Sequence, residues 1–153
     1  LDQKDLVERV AGLLSQEKII GWFQGRMEWG PRALGNRSIL ASAARPEMKD
    51  IINSKVKHRE LFRPFAPVVL SKYTKDYFIT DSPVPASAKY MLFVYPFRPK
   101  GKREVPAVVH VDGTGRLQTL ERSDNPLYYD LIETYAKKTG VPIIINTSFN
   151  VRG

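Results

Sequence analysis

A chain of 153 residues with 42% hydrophobic and 26% charged side chains has the size and make-up of one globular domain, which argues against an intrinsically disordered chain. It contains no cysteine, so disulfides, thiolate metal sites and cysteine nucleophiles are excluded together. The formal net charge of +8 is unevenly placed, since residues 21–104 hold sixteen basic against seven acidic groups; such a middle suits nucleic acid, a membrane surface or a small polyanion without choosing among them.

Residues 5–18 place Leu6, Val7, Val10, Leu13 and Leu14 on one helical stripe, with Asp2 as cap. Residues 19–24 read as a buried strand that runs into a turn-rich basic stretch at 25–38. A strand comes next at 38–43, then a helix over 46–56 with Pro46 at its first position. Pro64 and Pro67 bracket an extended piece, with a strand at 66–70. Residues 72–78 suit a short helix, 79–89 a loop and 90–97 a β-rich run. The cationic segment 98–104 reads as an exposed, mobile loop. Two apolar runs flank Asp112-Gly113-Thr114-Gly115 within 106–120, which predicts a hairpin. Asn125 caps the clearest helix, 126–139, which Gly140 stops, and residues 141–146 form a wholly apolar strand. Helices interleave with strands, so the expected fold is α/β: a mixed twisted sheet with helices packed on it, as a single domain over residues 1–153. No apolar run reaches the ~20 residues of a membrane span and no basic-then-apolar leader opens the sequence, so no membrane partner and a cytoplasmic location are expected. The start at Leu1 rather than Met suggests a piece of a longer chain.

Four segments could carry chemistry. Residues 25–39 set Arg26, Arg32 and Arg37 among Gly25, Gly30 and Gly35 at the end of a strand. Arginine holds phosphate through a planar fork, and glycine lets a ligand approach the backbone; a solvated turn is the competing reading. Residues 55–70 add Lys55, Lys57, Arg59 and Arg63, where Lys57 and Arg63 converge only if the chain turns between them. Residues 110–116 place Arg116 after a tight turn, and residues 146–150 put Asn146, Ser148 and Asn150 at a strand terminus. No Gly-rich phosphate loop is present, and two distant histidines, His58 and His110, give little support to a metal site.

Taken in order, GRMEWGPRALGNRSI, KHRELFRPFAP, HVDGTGR and NTSFN resemble the C-terminal domain of the O-carbamoyltransferases of the NodU/CmcH type, across residues 21–153. The resemblance implies a YrdC-like fold. It implies an ATP-dependent enzyme that activates carbamoyl phosphate as carbamoyl adenylate, releasing phosphate and pyrophosphate. A separate N-terminal Kae1-like domain of the whole protein would pass the carbamoyl group to a hydroxyl. Carried over position by position, Lys57, Arg63, Arg116 and Ser148 become the catalytic residues. Arg26, Arg32, Asn146 and Asn150 become the nucleotide-binding ones, with Mg2+ held mainly by the ATP phosphates and no protein metal site. Nothing in the sequence matches that N-terminal domain, so the chain is expected to be at best an activation half. The family's last motif continues with an acidic residue and proline after N-x-x-G, where this sequence stops at Gly153, so the pocket wall formed by that continuation is expected to be missing. The alternative is a basic RNA- or nucleotide-binding module without catalysis; the arginines lie in compact Gly-rich turns rather than among stacked aromatics, which disfavours RNA.

Overall fold

A computed structural model describes residues 2–150. Its centre is a five-stranded mixed sheet, ordered β1 (Ile20–Phe23), β2 (Arg37–Ser42), β7 (Ile143–Ser148), β3 (Ala66–Leu70), β6 (Gln118–Leu120). The pairs β1/β2, β2/β7 and β7/β3 are antiparallel, and β3/β6 is parallel. The strand that carries the apolar run Ile143, Ile144 and Ile145 is thus the central one, shifted to begin at Ile143 and to run on through Asn146, Thr147 and Ser148. Because side chains alternate between faces, Ile143 and Ile145 enter one core while Ile144 enters the other.

On one face, α1 (Gln3–Ser15) and α5 (Pro126–Thr139) cover the sheet, burying Val7, Val10, Leu14, Leu131, Ile132 and Tyr135 against Leu40, Val68 and Ile144. Both expected caps form: Asp2 Oδ1 accepts from Asp5 N at 2.8 Å, and Asn125 Oδ1 from Tyr128 N at 3.1 Å. Gly140 ends α5 at φ 79°, a left-handed turn that favours glycine. The opposite face buries Met48 and Ile52 of α2 (Glu47–Ile52) with Phe65, Tyr77, Phe78, Phe97 and Leu117. Among the described residues no helix is long and apolar enough to cross a membrane.

The mixed sheet with packed helices is therefore as expected, but four local readings are corrected. Residues 20–23 form an edge strand rather than a buried one: Trp22 is buried while Phe23 is 61% exposed. The β-rich run 90–97 keeps only β4 (Val94–Pro96) as strand. Residues 98–104 are not a loop, since α4 (Pro99–Glu104) places Pro99 in the first turn, where its missing N–H costs nothing. Gly101 is buried there because any Cβ would meet the Phe97 ring at 2.6 Å. The 106–120 hairpin does not form either. The turn exists, with Gly113 N donating to the His110 carbonyl at 2.9 Å. However, Pro106–Val108 is a 3-10 turn buried in the core, so β5 (Thr114–Arg116) pairs with β4 instead.

Candidate functional site

The site lies where the β7 C-terminus meets two basic loops. The helix α2 continues into a π-helical turn, Asn53–Lys57, that ends at His58 with φ 47°. Asn53 is fully buried and organises the loop beyond that turn. Its Nδ2 donates to the Leu61 and Arg63 carbonyls at 3.2 and 2.9 Å, and its Oδ1 accepts from Arg59 Nε at 2.7 Å. One asparagine thus folds residues 58–63 back on themselves, which is how Lys57 and Arg63 come together despite a spacing of six.

The second loop, residues 25–36, is held by Glu28, whose Oε1 accepts from Leu34 N at 2.8 Å and Asn36 N at 2.7 Å. Glu28 also pairs with Arg37 at 3.4 Å, and Arg37 donates to the Gly30 and Arg32 carbonyls. Gly35, at φ 119°, lies where a Cβ would be 2.3 Å from the Tyr128 ring, so space and backbone both demand glycine.

Between these loops and the end of β7 opens a pocket of about 400 Å³. Five arginines line it: Arg32, Arg37, Arg59, Arg63 and Arg116, and its lining includes no carboxylate. Asn146 and Ser148 of β7, with Asn150 just beyond its end, complete the wall. Arg59 also stacks over Phe65 at 5.0 Å. Burial, and then the charges of Arg32 and Arg59, push the Arg116 guanidinium below its ordinary value.

Lys57 is behind this wall and fully buried. Its Nζ donates to the Ser148 carbonyl at 2.6 Å, the Asn150 carbonyl at 2.9 Å and Asn150 Oδ1 at 2.8 Å, and lies 3.3 Å from Ser148 Oγ. All these partners are neutral. Desolvation, reinforced by Arg59 and Arg63, lowers the amine to about 8. An anion in the pocket would supply the missing counter-charge.

Of the eight residues expected from sequence, Arg32, Arg63, Arg116, Asn146, Ser148 and Asn150 share the pocket and Lys57 braces it. Arg26 stands apart: it is exposed on the outer limb of its loop, where its carbonyl accepts from Asn36 Nδ2 at 2.7 Å. Arg37 and Arg59 belong to the candidate segments, but nothing in the motifs marks them as site residues. The available signal for Arg59 is only its place two residues after Lys57 in the same basic segment. The motif that runs past Asn150 to Gly153 lies outside the described residues. Among the described residues no three His, Asp or Glu converge to hold a metal.

The sequence matches the family model described as Carbamoyltransferase C-terminus over residues 11–153. It is 48% identical over 147 residues to the nodulation protein NolNO of Sinorhizobium fredii, covering 95% of this chain and 21% of that one. To nodulation protein U of Rhizobium tropici it is 47% identical over 144 residues, covering 94% and 24%. An uncharacterised protein of Synechocystis is 41% identical over 170 residues, covering 98% and 27%. The chain therefore spans about a quarter of the length of these relatives. The fold matches full-length HypF, solved in a phosphate- and nucleotide-bound form, with a TM-score of 0.63 at 19% identity, over 96% of this chain and 17% of that one.

Proposed function

This chain belongs to the carbamoyltransferase C-terminus family, and from that premise we propose that its arginine-lined pocket activates carbamoyl phosphate with ATP. Carbamoyl phosphate gives up its phosphate to water as carbamate. A carbamate oxygen then attacks the α-phosphorus of ATP, the bond to the β-phosphate breaks, and pyrophosphate leaves carbamoyl adenylate behind. Transfer of that carbamoyl group to a hydroxyl is assigned to the remaining length of proteins like the relatives, through an N-terminal Kae1-like domain.

The observation that carries this reading is five convergent arginines with no lining carboxylate. Two polyanions repel each other, and fixed cations that need no reorganisation are what such a displacement requires. Arg32 and Arg116 are suited to holding phosphates, while Lys57 offsets charge from behind the wall. A magnesium ion would ride on the nucleotide phosphates, because the pocket offers it no carboxylate. A concave cluster of forks suits a small anion better than an RNA strand, which needs an extended face.

Incubated with ATP, magnesium and carbamoyl phosphate, the chain should release pyrophosphate only when both substrates are present. Lys57→Ala should abolish that release in a protein whose thermal melt shows it folded. Pyrophosphate release without carbamoyl phosphate, or unaltered release by Lys57→Ala, would sink the assignment.

A further inference from the structure

His110 lies outside the lining of the arginine pocket, at the start of the turn that leads into β5 and Arg116. Its backbone N donates to the Thr114 carbonyl at 2.8 Å, and its carbonyl accepts from Gly113 N at 2.9 Å. Side chains close the turn a second time. Asp112 Oδ1 accepts from Thr114 N at 2.9 Å and from Thr114 Oγ1 at 2.7 Å, and that hydroxyl oxygen lies 3.2 Å from His110 Nδ1. Both backbone groups of Thr114, the first residue of β5, are thus spent within the turn.

The direction of these bonds fixes the imidazole. The bond from the Thr114 hydroxyl holds the Asp112 carboxyl below its ordinary value. A carboxylate only accepts, so the single hydroxyl proton of Thr114 goes to Asp112. Oγ1 then offers the ring only a lone pair, and Nδ1 must carry the imidazole proton. That leaves Nε2 as a bare acceptor, buried and without a hydrogen-bond partner among the described residues. A second proton there would be a buried donor with nothing to receive it. The charged groups around the ring are Asp112 in the turn, Arg116 in β5 and Lys49 of α2, which lines the same groove. Burial lowers the imidazole below its ordinary value; Asp112 opposes this and Arg116 adds to it.

Thr114 and Arg116 are two apart in β5, so their side chains leave the same face of the strand. Gly115 between them packs on the Phe97 ring, where a Cβ would come within 2.4 Å. Locking Thr114 therefore sets the direction in which Arg116 leaves the strand. Resting on the reading that the pocket holds ATP phosphates, we propose that His110 is a positioning residue, which clamps Thr114 through its Nδ1–H and so holds Arg116 in the pocket without touching a ligand. Arg116 needs such a hold, because its guanidinium is desolvated and repelled by Arg32 and Arg59, and water would relieve both. The other two arginine-bearing segments each have a polar brace of this kind. Glu28 fixes residues 25–36 and Asn53 fixes residues 58–63. His110 is the brace of the third.

The test is calorimetric titration of the 153-residue chain with ATP, for His110→Leu and His110→Asn, each with Arg116 intact and with Arg116→Ala. His110→Leu should weaken binding by about tenfold, the low end for losing a charge-assisted contact to phosphate. His110→Asn, whose amide donates from near the place of Nδ1, should stay within about threefold of wild type. In the Arg116→Ala background His110→Leu should cost no more than about twofold, since the two losses are one and the same; a general loosening of the fold would weaken binding in both backgrounds. Unchanged affinity in His110→Leu, an undiminished loss beside Arg116→Ala, or His110→Asn as weak as His110→Leu overturns the inference and leaves ATP activation standing. This binding pattern without carbamoyl-phosphate-dependent pyrophosphate release sinks the activation reading alone, and a wild type that binds no ATP sinks both. Nitrogen NMR reads the tautomer in a protein with an unaltered turn. The chain has two histidines, so the imidazole signal that persists in His58→Gln belongs to His110. It should show the proton on Nδ1 at neutral pH and titrate below the ordinary 6.5. A proton on Nε2, or an ordinary midpoint, overturns the inference even if His110→Leu fails to fold.

Discussion

Two cationic regions share this chain: the arginines at the end of β7, and Arg98, Lys100, Lys102 and Arg103 on and beside α4. In the first, guanidinium groups from three separated segments converge on one pocket, and two of them add to the desolvation that lowers the pKa of a buried lysine beside it. In the second, the charges radiate from a single helical turn. Lys100 lies over the Tyr77 ring at 4.7 Å, Arg98 Nε donates to the Phe78 carbonyl at 3.2 Å, and Lys102 and Arg103 are exposed. Local charge density is similar, yet only convergence creates a field that a ligand can relieve. The structural purpose of α4 is apolar, since Gly101 and Val105 lie under the charges in the core.

The sharpest way to break this contrast is to remove one converging cation. Arg63→Ala should weaken ATP binding by about 1.5–3 kcal/mol, the worth of a charge-assisted contact to phosphate. Calorimetry against wild type reads it directly, and equal affinities would remove Arg63 from the pocket's work.

The second effect is smaller and depends on pH. Lys57 titrates near 8 rather than at its ordinary 10.5, because it is desolvated among neutral acceptors with Arg59 and Arg63 nearby. Between these values the unfolded chain holds the proton and the folded chain does not. Stability from this group therefore rises with pH across that window, and the cost of burying the charge is fully present below about 8. A bound anion reverses the preference by favouring the charged amine. Anion affinity should be flat below pH 8 and fall by up to about tenfold per unit above it, with proton uptake visible as a buffer-dependent binding enthalpy. Lys57→Met should flatten the slope. A slope that survives this substitution assigns the proton elsewhere.

Much of this is legible in the chain. The helices α1 and α5 are written in stripes and caps, and β3 and β7 in short apolar runs, because burial on known faces imposes a periodicity. Three of the four corrected segments share one cause. The edge strand β1, the helix α4 and residues 106–108 are each decided by which neighbour they pack against, and residue order does not state that. In the site, the residue types are visible but their convergence is not. It rests on Asn53, a polar residue in a helical stretch with no motif around it, whose three hydrogen bonds bend residues 58–63. The orientation of the Asn146 amide likewise depends on Gln118, 28 residues away in sequence.

The smallest expected effect completes the contrast from the α4 side. If convergence rather than density makes the site, then Lys100→Gln and Lys102→Gln together should leave nucleotide affinity within about twofold, as for surface substitutions remote from a ligand. Lys102 does approach the 110–114 turn, where a Cβ on Gly113 would lie 2.8 Å from its Nζ, and Arg116 comes just after that turn in β5. The double variant thus also probes whether the turn transmits charge to Arg116. Any such coupling should appear as a modest change confined to low salt, since exposed charges are screened beyond about 10 Å at 0.1 M. A loss of affinity that persists at high salt would mean that α4 reaches the ligand directly, and the two cationic regions would then form one surface.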